Sequence, residues 1–318
     1  MGESNNRTQV VRFAALIALV GNILLAVGKL AFAYTSGSLA LLGDGIDTST
    51  DVLIAIMALA ITSIISQPSD KKHPWGHGRA ETVGTVVLAF IILLAGSQLA
   101  LSALAELRSG HVRQIPETIV LYVTASSVFG KLLLALSQWK LGKKANSAMI
   151  LANAKNMTGD IIISASVFLG IGAARIFSLP ILDPIIALLV GIWIVKNGLS
   201  IFLEQNLELM DGNADDALYH SLFEAVKTVK GAGNPHRARI RKIASAWDID
   251  LDIEVDGSKT VCQAHAIAEK VEKAVRERIP DVYDIMVHVE PAGAGQHPEQ
   301  YGLCADDLIH HCRQINDT

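Results

Sequence analysis

The chain has 318 residues, 51% of them hydrophobic and only 18% charged, with a mean hydropathy of +0.38, which excludes an ordinary soluble protein. A net charge of -4, a pI near 6.2 and no long Lys/Arg run leave no electrostatic footprint for a nucleic acid, so no such partner is expected.

The apolar excess lies almost wholly before Gln205, in long runs separated by short polar stretches. A bilayer core of about 30 Å needs roughly 20 mostly apolar residues per helix. Six stretches meet that need: 11–34, 39–65, 82–107, 115–139, 149–176 and 180–204. Buried soluble helices would be the alternative, but so many long runs with so little polar sequence between them argue against it. The first residues, MGESNNRTQVVRF, lack the regions of a secretory signal, so the first run is expected to stay as a span. Asn6 stands where a myristoylation signal needs Ser or Thr, and that signal is discounted.

Orientation follows from the basic residues beside the spans. Arg7, Arg12, Lys71, Lys72, Arg79, Lys140, Lys143 and Lys144 fall on one side, and Arg108, Arg113 and Arg175 on the other. Both termini are therefore expected in the cytoplasm. Three cysteines without a CxxC pair, Cys262, Cys304 and Cys312, suit that reducing side.

The second span carries Asp47 and Asp51 four residues apart, one helical turn on one face, and the fifth repeats the spacing with Asn156 and Asp160. An Asp near a helix centre costs about 2.5–3.5 kcal/mol on insertion scales, so three cost roughly 8–10 kcal/mol unless compensated. A bound cation supplies that compensation. Interhelical hydrogen bonding would explain one such Asp, but two equally spaced pairs on two helices point to an ion. Asp44 is expected to point away from this stripe, capping or solvated near the helix entrance. Lys29, Lys131 and Lys196 are read as snorkelling or paired within the bundle, with no transport role.

Beyond a boundary near residues 210–214 the chain reads helix (214–229), strand (238–245), strand (247–255), helix (259–278) and strand (282–290). WDIDLDIEV alternates with period two, the pattern of a sheet covered on one face, and the Asp-rich DGNADD is placed to cap the helix that follows. The expected fold is thus a membrane α-helical bundle of six transmembrane helices in residues 1–210, a cytoplasmic α+β domain (αββαβ) in 211–292, and a tail, 293–318. That tail, with Cys304, His310, His311 and Cys312, matches no standard metal spacing and reads as a flexible segment.

In this order the features resemble the cation diffusion facilitator family, over residues about 10–292. The resemblance rests on Asp47-x-x-x-Asp51, the loop Asp70-Lys-Lys-His73-Pro-Trp-Gly-His77-Gly-Arg-Ala-Glu81, the Asn156/Asp160 pair and the αββαβ domain. It implies a secondary transporter, not an enzyme, that exports a divalent metal ion as substrate in exchange for protons. It further implies a metallochaperone-like (ferredoxin-like) domain and a homodimer formed through the cytoplasmic and transmembrane domains. Integral placement among membrane lipid follows, with a bacterial inner (plasma) membrane expected.

The family's transport site falls on Asp47, Asp51, Asn156 and Asp160. Zinc-transporting members usually carry His where this chain has Asn156, and manganese-type members lack it. An all-oxygen site suits Mn²⁺ first and Fe²⁺ next, with Zn²⁺, Co²⁺ and Cd²⁺ still open on affinity order. Carboxylates bind metal when deprotonated and can carry protons otherwise; Asn156 cannot titrate, so the exchanged protons fall to Asp47, Asp51 and Asp160. By the same resemblance Asp70, His73 and His77 match a loop metal site, or else form a turn with solvated histidines. Arg79 matches a salt-bridge position with Asp211 as its partner. His236, Asp252, His265, His288 and Glu290 fall at a metal-binding dimer interface, against the alternative of a bare dimerisation module. A non-transporting metal sensor or assembly partner on this fold is a rival reading; an intramembrane metalloenzyme is disfavoured, since no His-Glu-x-x-His or nucleophile-base pair is present.

Overall fold

A computed structural model describes residues 2–65, 67–109, 118–145, 148–213, 215–243, 246–293 and 301–304. The chain forms two compact units, Met1–Ser66 with Gly84–Leu203, and Gln67–Val83 with Glu204–Thr318.

The helices of the first unit are α1 (Gly2–Ser36), α2 (Leu39–Ile65), α3 (Ala80–Ser109), α4 (Thr118–Ala145), α5 (Ala148–Ile176) and α6 (Leu182–Leu209), each overlapping an expected span. Among the described residues, five are long and apolar enough to cross a membrane. The remaining one, α2, has 27 residues and reaches about 40 Å. Large apolar side chains such as Leu24, Leu94, Leu101 and Leu169 point outward, while Leu41, Leu99, Ile171 and Ile194 fill the interior. An apolar exterior of this kind suits lipid as the surrounding solvent.

Helix α1 packs on α2 and α4, α4 on α5, and α2 on α5. Helices α3 and α6 approach through small residues: a Cβ on Gly191 would lie 2.9 Å from the backbone nitrogen of Ala100, and one on Gly96 2.8 Å from Ile194. Asp183, at the start of α6, fixes where α2 begins. Its carboxylate accepts hydrogen bonds from Ser38 Oγ at 2.5 Å, the Leu39 N–H at 2.9 Å and the Ala40 N–H at 3.3 Å. Free N–H groups at a helix N-terminus favour such an anionic partner.

The second unit contains α7 (Asp216–Lys227), β1 (Gly233–Ile243), β2 (Ala246–Val255), α8 (Val261–Arg278) and β3 (Val282–Pro291), the expected αββαβ order. The sheet runs β1-β2-β3, with β1 antiparallel and β3 parallel to β2. Ile249, Leu251 and Ile253 of β2 pack with Leu222, Phe223 and Val226 of α7 and with Val271 and Val275 of α8. Asp215 caps α7, accepting from the Ala217 N–H at 3.0 Å, as the Asp-rich approach predicts. Thr260 and Gln263 form a capping box on α8.

Two expectations need correction here. Strand β1 starts at Gly233 rather than 238, because register shifts on either side of His236, with positive φ at Asn234 and Arg237, carry irregular strand further back than an alternating pattern reveals. The tail is not simply a flexible segment: Leu303 pairs with Ala238 at the β1 edge, and Tyr301 stacks on the Arg237 and Arg239 guanidiniums. His310, His311 and Cys312 lie outside the described residues.

Candidate metal-transport site

Contact between α2 and α5 brings the two four-residue pairs together. Asp47 is buried, Asp51 and Asp160 are half-buried, and two cavities meet at the pairs. One, of about 400 Å³, is lined by Asp51, Asn156 and Asp160 with Asn22, Gln138 and Asn153. The other, of about 330 Å³, is lined by Asp47, Asp51, Asn156 and Asp160 with Asn197 and Ser200. Among the described residues neither is lined by His or Cys, and the sulfur present is the Met157 thioether. Buried Oδ2 atoms of Asp47 and Asp51 have no hydrogen-bond partner among the described residues. Carboxylate oxygens without hydrogen bonds, the Asp47 one with only the Lys131 ammonium at 3.5 Å, are what a hard cation would satisfy.

One charge that the sequence leaves without a transport role lies beside these carboxylates, and two others pair with each other elsewhere in the bundle. Lys131, on α4 and 2% exposed, places Nζ 3.5 Å from Asp47 and 3.9 Å from Asp160. Asp44 is not at a solvated helix entrance. It is fully buried, 2.8 Å from Lys29 Nζ, and accepts from Ser164 Oγ at 2.6 Å. Lys29 also donates to Thr48 at 2.9 Å and to Ser164 at 3.1 Å. Helix geometry gives the reason: at about 100° per residue, Asp44 lies only about 60° around α2 from Asp47, on a neighbouring face rather than an opposite one. Lys196 stands 5.6 Å over the Trp193 ring.

In the second unit Asp70, His73 and His77 offer ligand atoms within 4.8 Å of one another. The Asp70 carboxylate accepts the His73 and Lys72 N–H groups at 2.7 and 2.8 Å, a local turn that places it 3.3 Å from His73 Nδ1 and 3.7 Å from His77 Nε2. These bonds, the His73 N–H foremost, hold the Asp70 carboxyl below its ordinary pKa. Arg79 pairs with Asp211 and donates to the Glu208 carbonyl at 2.9 Å, while Arg241 reaches Asp211 at 3.6 Å.

On the sheet, His236, Asp252 and Glu290 form the other group gathered within 4.8 Å, and all three are buried. His236 Nδ1 lies 2.8 Å from the Asn234 carbonyl, which only accepts, so Nδ1 carries a proton and Nε2 faces Glu290 at 3.3 Å. An imidazole fixed this way presents one nitrogen to a cation. Arg237 already sits among these carboxylates, 2.8 Å from Asp252 and 4.0 Å from Glu290. His288 touches the group's edge, 3.5 Å from Glu290. His265 is not brought in: it is exposed on α8 and pairs with Glu269 at 3.6 Å.

Residues 15–210 match the cation efflux transmembrane domain, and residues 214–292 the cation efflux protein cytoplasmic domain. The chain is 29% identical to the manganese efflux system protein MneP of Bacillus subtilis, over 91% of this chain and 98% of that one. It is 30% identical to the magnetosome protein MamM of Magnetospirillum gryphiswaldense, over 88% of each. It is 26% identical to the cation-efflux pump FieF of Serratia proteamaculans, over 89% of this chain and 93% of that one. With its helical and cytoplasmic parts both matched in chain order, the chain belongs to the cation efflux, or cation diffusion facilitator, family and is an integral membrane transporter that exports divalent cations.

Proposed function

We propose that this transporter exports Mn²⁺ in exchange for protons, binding the ion through Asp47, Asp51, Asn156 and Asp160. The observation that carries the reading is the oxygen character of the two cavities at these residues, with the amide of Asn156 in place of an imidazole. Hard oxygen donors favour Mn²⁺ and, next, Fe²⁺ over softer ions. The name of MneP, a manganese efflux protein, supports that order. Zn²⁺, Co²⁺ and Cd²⁺ are the competing substrates, since affinity order alone favours most of them.

Coupling rests on the carboxylates. Metal binding requires them deprotonated, and release to the far side leaves three groups able to take up protons for the return. Asn156 contributes an oxygen and carries no proton. The retained carboxylates, with amides beside them in the cavity walls, count against a non-transporting sensor on this fold.

The Asp70, His73 and His77 cluster and the His236, Asp252 and Glu290 cluster are accessory metal sites in this reading, with His288 at the rim of the second. The protein works as a homodimer through both domains, with metal on the cytoplasmic domains drawing them together. The Arg79 and Asp211 pair ties the loop after α2 to the start of the cytoplasmic domain. Both termini face the cytoplasm, and the membrane is a bacterial plasma membrane. Metal-driven proton flux in proteoliposomes, compared for Mn²⁺, Fe²⁺, Zn²⁺ and Co²⁺, tests the proposal. Flux is expected to be greatest with Mn²⁺; metal entry without proton movement would overturn the exchange.

A further inference from the structure

Carboxylates gathered on two facing helices repel one another whenever no ion lies between them. A cation of the chain's own already stands beside two of them. Lys131 is 2% exposed on α4, and its ammonium reaches Asp47 of α2 and Asp160 of α5, the helices that carry the ligands. Its distances, 3.5 and 3.9 Å, are those of ion pairing, and Nζ has no hydrogen-bond partner among the described residues. The other buried lysine is differently placed. Lys29 is engaged by Asp44, Thr48 and Ser164 at 2.8–3.1 Å, a neutral and hydrogen-bonded pair.

We propose that Lys131 is a tethered counter-ion of the transport site, which the arriving metal must displace and whose return helps to expel it. Space enforces the exchange. The ammonium of Lys131 lies 3.5 Å from the Asp47 carboxylate and 3.9 Å from that of Asp160, in the space beside both. Mn²⁺-sized ions need ligand oxygens at about 2.0–2.6 Å, and therefore within roughly 3–4 Å of one another. Drawing Asp47 and Asp160 together around an ion requires the ammonium to leave the space beside them. Lys131 thus acts as a positioning residue through the carboxylates, by its charge.

This inference rests on the assignment of the carboxylates as metal ligands, and the experiment separates the two. Mn²⁺ transport by the full-length protein in proteoliposomes would be measured for the wild type, Lys131→Met, Lys131→Gln, Lys131→Arg, Lys29→Met and Asp51→Ala. Loss of Lys131's charge is expected to lower KM for Mn²⁺ about tenfold and to lower kcat at least about tenfold, because the ion is held more tightly and released more slowly. Lys131→Arg is expected to restore both toward the wild-type values. Lys29→Met lacks the KM decrease, since its partner Asp44 is not a ligand. Unchanged or raised KM in both Lys131→Met and Lys131→Gln, or the same change in Lys131→Arg as in the neutral variants, overturns the proposal. If neither neutral variant folds, Lys131→Arg decides: wild-type KM and kcat support a charge role, and loss of both refutes it. Full transport by Asp51→Ala would instead remove the ligand assignment itself.

Discussion

The transporter carries acidic clusters in two settings, and they are built by opposite means. Between α2 and α5, helical repetition puts the oxygens on facing surfaces, with Lys131 beside Asp47 and Asp160. On the sheet, cross-strand register gathers His236, Asp252 and Glu290 within 4.8 Å, with Arg237 already paired to Asp252 at 2.8 Å. Each cluster therefore holds a cationic side chain of its own. A cluster that passes an ion on benefits from ligands that close only around the ion, whereas one that retains an ion benefits from ligands already in place.

The largest expected effect lies in the first cluster. Asp51→Ala or Asp160→Ala should abolish metal flux in proteoliposomes while the protein still elutes as a folded species; full flux in either variant would break the comparison. Next is the buried pair beneath the site. Lys29→Met leaves the fully buried Asp44 without its ammonium, a change expected to cost about 3–5 kcal/mol, seen as a lower thermal midpoint in detergent. A double Lys29→Met/Asp44→Leu variant should recover most of that loss.

A smaller effect is expected at the helix contact that frames the cavities. Gly191→Ala puts a methyl against the Ala100 backbone and should cost about 1–3 kcal/mol in the same melting assay, because backbone cannot yield as a side-chain tip can. In the sheet cluster, Arg237→Gln should raise the affinity of the cytoplasmic domain for divalent metal in the full-length protein, measured by titration with the helical site disabled by Asp51→Ala. No change in affinity would mean that Arg237 does not compete there.

The smallest effect concerns the loop. Asp70's carboxyl is held low in the fold, so its stabilising contribution is complete above its ordinary value of about 4 and is lost as pH falls through the lower folded-state value. Fluorescence of Trp75, in the same loop, should show an acid limb below about pH 4, and Asp70→Asn should remove that limb.

How much of this is legible in the sequence differs between the two settings for a physical reason. Four-residue spacing within one helix is local, so Asp47 with Asp51 and Asn156 with Asp160 pair on spacing alone. Lys131 cannot be placed that way, because nothing in α4 says which face meets α2 and α5. For Asp44 the missing element is the angle rather than the contact: three residues along a helix is a neighbouring position. The sheet cluster depends on pairing, His236 opposite Asp252 and Asp252 opposite His288, and on the register shifts around His236. Spacing along the chain carries none of that, so His265, which looks equivalent in sequence, ends on the exposed face of α8. Asn22 and Asn197, amides isolated in apolar runs, are the signal in the sequence for the cavity walls.

The central claim is that the oxygen-only character of the α2/α5 site, with Asn156 in place of an imidazole, sets which metal is moved. Its most direct test is the ratio of Mn²⁺ to Zn²⁺ flux in proteoliposomes for the wild type and Asn156→His. The wild type is expected to favour Mn²⁺ and the variant to shift toward Zn²⁺; an active variant with an unchanged ratio would contradict the claim.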